Sequence, residues 1–170
     1  MFTDIQLLQI KNAVMRVLHV PGNYTGGILE MAVAADFHIA PETLRKECAQ
    51  LAGALRRTDE VFRNVRLNLI GWISDERILK EVSSLPALQM GKGFERMEER
   101  DPAPATEAAE KSLDELLRQM KLFYARSKLI ILITDGSYRR TDEEKIREYL
   151  HPFLYRKLIV LCGGNVTKLT

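Results

Sequence analysis

The stretch Leu129 to Ser137, LIILITDGS, constrains this chain most. Five consecutive apolar residues, rich in isoleucine, run directly into a polar Thr-Asp-Gly-Ser turn. A short unbroken apolar run of this kind reads as a strand buried on both faces, as at the centre of a parallel sheet. In such sheets ligands bind just beyond the carboxyl ends of the strands. Asp135 then stands at that edge, and Gly136 lets the chain turn sharply. The same dipeptide also serves as a plain turn.

A second run, Ile28 to Ala35 (ILEMAVAA), ends at Asp36, and Pro41 or Glu42 is placed to open the helix that follows. Two strands thus finish in aspartates that face one sheet edge. Carboxylates brought together there repel unless a positive charge lies between them. A divalent cation with oxygen ligands is one answer; a lysine or arginine bridge is the structural alternative.

The remaining pattern alternates strands with amphipathic helices. A short helix is expected from Thr3 to Asn12 and a strand from Ala13 to Val20. Pro21 to Gly27 reads as a loop. From Glu42 to about Arg57, Leu44, Cys48, Leu51, Ala52 and Leu55 recur at helical spacing. Val65 to Ile73 reads as a strand, Glu76 to Val82 as a short helix, and Leu88 to Ala105, with its glycines, prolines and dense charge, as a solvated loop. A helix is expected from Thr106 to about Phe123, capped by Thr106. Thr141 to Glu144 forms a capping-box pattern ahead of a helix ending near Leu150, before Pro152. Leu158 to Cys162 is the last strand, ended by Gly163-Gly164. The expected fold class is α/β, a mostly parallel central sheet with helices on both faces. One domain is expected, with residues 1–27 an N-terminal extension and the core over about 28–164.

Composition narrows the function classes. With 46% hydrophobic and 28% charged residues the chain has an ordinary globular balance, and a net charge of +2 gives no argument for nucleic acid. No apolar run is long enough to span a membrane, and no signal-peptide pattern stands at the N-terminus. Cys48 and Cys162 have no metal spacing and read as reduced core thiols. A cytoplasmic protein is the expectation. Enzyme motifs are missing: Gly91-Lys92-Gly93 is not a phosphate loop, and Ser137 has no partnered histidine in a recognisable context.

Asp36, Thr106 and Asp135, each at a junction between elements, resemble the metal-ion-dependent adhesion site of the von Willebrand factor A family, over roughly residues 28–164. That site combines Asp-x-Ser-x-Ser after the first core strand, a threonine in a later loop, and an aspartate after the fourth strand. Asp36 matches the first aspartate, Thr106 the threonine, and Asp135 the last. His38 and Ala40 stand where the family has serines. The resemblance therefore implies a degenerate site: Asp36, Thr106 and Asp135, with His38 as a further candidate, hold magnesium weakly or not at all. No other cofactor is expected. It also implies a non-enzymatic module that binds a protein partner within an intracellular complex, such as an AAA-type ATPase assembly. Asp36, His38, Ser137, Arg139 and Arg140 are the candidate contact residues. The alternative is a small magnesium-dependent α/β hydrolase or phosphoryl-transfer enzyme using Asp36 and Asp135.

Overall fold

The computed structural model describes residues 2–18, 29–56, 65–83, 90–100, 111–124, 127, 129–151, 158–162 and 165–167. The elements in chain order are α1 (Asp4–Leu18), β1 (Leu29–Asp36), α2 (Pro41–Arg56), β2 (Val65–Trp72), β3 (Ile78–Ser83), α3 (Met90–Arg100), α4 (Leu113–Tyr124), β4 (Leu129–Thr134), α5 (Glu143–Leu150), β5 (Leu158–Cys162) and β6 (Asn165–Thr167). They form an α/β fold around one six-stranded sheet in the order β3-β2-β1-β4-β5-β6. The four strands β2, β1, β4 and β5 are mutually parallel, and antiparallel β3 and β6 close the two ends.

The expected central pair is observed: β1 lies beside β4, with Val33 opposite Ile131. Alternation along β1 shows why both strands are apolar throughout. Met31, Val33 and Ala35 face one core with Ile10 of α1, Leu44, Cys48 and Leu51 of α2, and Phe94 and Met97 of α3. Ala32 and Ala34 face a second core with Leu113, Leu116, Leu117 and Met120 of α4 and Ile146 and Leu150 of α5. Helices thus cover both faces, and a strand between two such layers has no wet side to mark with polar residues. The β1-α2-β2 and β4-α5-β5 units step in opposite directions along the sheet, with their helices on opposite faces, so the two crossovers share one hand.

Six expectations are corrected. Ala13 to Leu18 is not a strand but the second half of α1. Leu7 and Ile10 already follow a helical stripe onto the core, and continuing that helix outweighs the valines' strand preference. Residues 19–20 lie outside the described set. The segment read as a short helix over 76–82 is instead β3, a strand hydrogen-bonded along the edge of β2, with Ile78 and Leu79 turned to opposite cores. Ser74 and Asp75 make the turn before it: the Ser74 hydroxyl accepts from the Arg77 N–H at 3.1 Å.

The expected loop over 88–105 contains α3. One of its two glycines, Gly93, is a packing residue. A Cβ on Gly93 would collide with the Leu69 side chain, so this glycine lets the helix approach the sheet closely; a Cβ on Gly91 would stand 3.5 Å from the Cβ of Cys48, an ordinary contact. The helix expected from Thr106 is α4, starting at Leu113, because Lys111 and Ser112 are not helical; Thr106 itself lies outside the described residues. At α5 the cap is Asp142, whose carboxylate accepts from the Lys145 N–H at 3.1 Å. The Thr141 hydroxyl, read as the cap, donates to Asp114 at 2.6 Å instead. β6 extends the sheet past the expected end at Gly163-Gly164. Among the described residues no helix is long and apolar enough to cross a membrane.

Candidate functional site

Strand order reverses between β1 and β4, and in an open α/β sheet that reversal opens a crevice beyond the carboxyl ends of the strands. Asp36 is the last residue of β1, and Thr134 ends β4 in the next position of the sheet, with Asp135 directly after it. Both aspartates build their own turns. Asp36 Oδ1 accepts from the His38 N–H at 2.9 Å, and Asp135 Oδ1 accepts from the Ser137 N–H at 2.8 Å. Each is an Asx-turn, a use that favours aspartate at a strand end without any ligand. Gly136 follows with φ of 86°, a conformation costly for other residues.

The two carboxylates differ sharply in environment. Asp36 is fully buried. Its Oδ2 accepts from the Thr134 hydroxyl at 2.9 Å, and that hydroxyl in turn accepts from the Gly136 N–H at 3.0 Å. Its Oδ1 also carries the ammonium of Lys111, a residue that is itself buried. The Lys111 Nζ lies 5.0 Å from the centroid of the Trp72 ring, a cation–π contact with the indole at the end of β2. Asp135 is more exposed. Its Oδ2 stands 3.6 Å from His38 Nε2, with the side chains 34% and 42% accessible. Partial burial works against its ionisation. Hydrogen bonds from the Ser137 N–H and hydroxyl and the field of His38 outweigh that, and its pKa falls below the usual 3.8.

Lys111 was not singled out by sequence reasoning. The segment that carries it, just ahead of α4, is clamped from two sides. Asp75, after β2, accepts from the Ser112 N–H at 2.7 Å and from the Ser112 hydroxyl at 3.0 Å. The loop after β4 pairs with it through Arg139 N–H to Lys111 C=O at 2.8 Å and Leu113 N–H to Arg139 C=O at 2.9 Å. Asp114 then accepts from the Thr141 and Asp142 N–H groups at 3.3 and 2.8 Å, tying the start of α4 to the start of α5. Tyr138 lies against Trp72 with ring centroids 5.6 Å apart.

Of the residues proposed from sequence, Asp36, His38 and Asp135 meet at the crevice, and Ser137 stands on the adjoining turn. Arg139 joins the site through its main chain, and Arg140 makes a two-pronged contact with Glu143 at 2.9 Å for each nitrogen. His38, Asp135, Ser137, Arg139 and Arg140 are all exposed.

The donor set does not fit a hard divalent cation. Such an ion takes about six to eight oxygen ligands. Here both Asp36 oxygens are engaged, one by an ammonium and one by a hydroxyl proton, and Ala40 has no side-chain oxygen to offer. Among the described residues no group of three or more His, Cys, Asp or Glu side chains is arranged to hold a metal ion. Neither a model of a known protein family nor a curated protein matches the sequence.

Proposed function

We propose that the chain is a von Willebrand A-like protein-interaction module that docks an intracellular partner, such as a component of an AAA-type ATPase assembly, without using a metal. The observation that carries this reading is the division of labour at the β1/β4 edge. Asp36 and Lys111 are buried and satisfied together, so neither is presented to a substrate. The exposed groups around them, His38, Asp135, Ser137 and Arg139, are contact-forming side chains on turns held by a rigid sheet. The adhesion-site resemblance supports the choice of edge, and the replacement of its serines by His38 and Ala40 supports metal-free contact.

The hydrolase reading needs Asp36 or Asp135 to hold magnesium or to attack a phosphorus or carbonyl centre. A fully buried, ion-paired Asp36 is poorly placed for either task.

The test combines affinity capture with substitution. Partners of the tagged protein are quantified for wild type and for His38→Ala, Asp135→Ala and Arg139→Glu, each first shown to be folded. A partner bound by wild type and lost with two or more of these exposed substitutions supports docking at this edge. Equal retention by all four proteins places the contact elsewhere. Magnesium-dependent turnover of a generic phosphate ester, abolished by Asp36→Asn, would replace the module reading with the enzyme.

A further inference from the structure

Two carboxylates at neighbouring strand ends of a buried sheet pose an electrostatic problem. Left alone, one must take up a proton or the pair must be held apart at a cost. A cation on one of them relieves the problem, and the sheet edge carries one that belongs to the chain, the Lys111 ammonium on Asp36. We infer that Lys111 is the permanent cation of this site, a tethered substitute for a divalent ion, and that its removal would make the site cation-dependent.

The placement of Lys111 carries the inference. Its ammonium sits directly on Asp36 Oδ1, and the side chains are 5% and 0% accessible, so bulk ions do not exchange freely with it. Its far side faces the Trp72 ring, which offers a second favourable contact to a cation and none to an anion. Its backbone is fixed independently of the ion pair, by Arg139 on one side and by the hold of Asp75 on Ser112 on the other. The lysine is therefore ordered in place by neighbouring loops. An ammonium is a compact point charge with three donors and no acceptor. It compensates one carboxylate fully and leaves Asp135 to His38 and the Ser137 amide.

Deleting the ammonium would leave Asp36 Oδ1 without its cation, with the Thr134 hydroxyl on Oδ2 of the same carboxylate and Asp135 following at the neighbouring strand end. Three oxygen-bearing side chains plus water form a weak site for a hard cation. This inference reaches beyond the docking reading, since it concerns the charge balance of the edge and holds whether or not a partner binds there.

Thermal unfolding of wild type and Lys111→Ser, with MgCl2 or MnCl2 against KCl of equal ionic strength, tests it. Weak oxygen sites have a Kd of about 1 mM, and a tenfold excess of ion would then shift the folding equilibrium roughly tenfold, a rise in Tm of roughly 3–6 °C. That rise is expected in Lys111→Ser and is lost in Lys111→Ser/Asp135→Asn. Wild type shows no rise beyond the KCl control. A wild-type rise that Asp36→Asn abolishes would overturn the inference, because the ion would then be displacing the lysine. A folded Lys111→Ser that ignores both ions overturns it equally. Should Lys111→Ser unfold on purification, its refolding from urea is followed with and without Mn2+. Recovery only with the ion supports the inference, and recovery in neither condition overturns it.

Discussion

Asp36 and Lys111 stand 75 residues apart in sequence and form a buried ion pair, so a double-mutant cycle across them has a large expected signal. Lys111→Met keeps the length of the stem and a favourable contact with Trp72 but removes the charge. It leaves Asp36, which is 0% accessible, with the His38 N–H and the Thr134 hydroxyl as its donors among the described residues. Breaking a buried pair by removing one partner costs about 3–5 kcal/mol, a large part of the roughly 5–15 kcal/mol that stabilises a typical domain. Asp36→Asn keeps an acceptor for the His38 N–H and strands the ammonium instead, at a cost of similar order. The double variant strands neither charge. It is expected to lose about as much as one single variant, which gives a coupling energy of about 3 kcal/mol. Urea unfolding followed by far-UV circular dichroism supplies the free energies. Trp72, the only tryptophan and 5.0 Å from the lysine nitrogen, reports the site by fluorescence, and coincident transitions would establish two-state behaviour. The exposed Arg140–Glu143 pair is the control and should show much weaker coupling, as solvent-facing pairs do. Additive losses at Asp36 and Lys111, or a Lys111→Met cost below about 1 kcal/mol, would refute the buried pair as the organiser of the edge.

Gly71→Ala is expected to destabilise by about 1–3 kcal/mol in the same urea assay. Its Cβ would stand 2.7 Å from the Phe37 ring, which is wedged edge-on against Phe94 at 6.2 Å and has little room to retreat. Cys48 should resist thiol reagents in a folded Cys162→Ser protein and react on adding denaturant, because burial first and Glu47 second push its thiol up to about 12; fast native labelling would contradict this packing. Asp135 has a folded-state pKa below its ordinary 3.8, so its ionisation adds stability above that pH and loses it as pH falls through the folded value. The stability advantage of wild type over Asp135→Asn should therefore hold steady down to about pH 4 and shrink below it, and an advantage that grows on acidification would reverse the sign of this argument.

The sheet was legible because its inner strands are buried on both faces. The runs at Ile28–Ala35 and Leu129–Ile133 have no polar alternation to confuse with a half-wet strand, and their pairing follows from strand order in an α/β fold. The elements misread are those where tertiary packing overrides local chemistry. Gly91 and Gly93 signal a break in isolation, yet both lie within α3, and Gly93 serves it by letting it close on Leu69. The edge strand β3 has a short apolar content and charges at Lys80 and Glu81 that resemble an exposed helix turn. Its pairing with β2, and the Lys80 ammonium donating to Gln119 at 2.7 Å, are visible only once the chain is folded.

The site was legible by half, and the missing half has a physical cause. Aspartates at strand ends announce themselves, because the apolar run fixes where the strand stops and the next residue meets the crevice. Electrostatics alone then required a positive charge between Asp36 and Asp135, and a lysine or arginine bridge was one of the two admissible forms. Which residue supplies it could not be read from spacing. Lys111 sits in a charged and polar stretch, AEKSLDE, where a lysine ordinarily faces water. What turns it inward is the pairing of Ser112 and Arg139 and the grip of Asp75 on Ser112, contacts between loops that are distant in sequence. Arg139, a candidate contact residue from the sequence, holds the Lys111 segment through its main chain and leaves its side chain exposed. The general form of the requirement came from charge balance; its address came from the topology that brings the start of α4 against the end of β4.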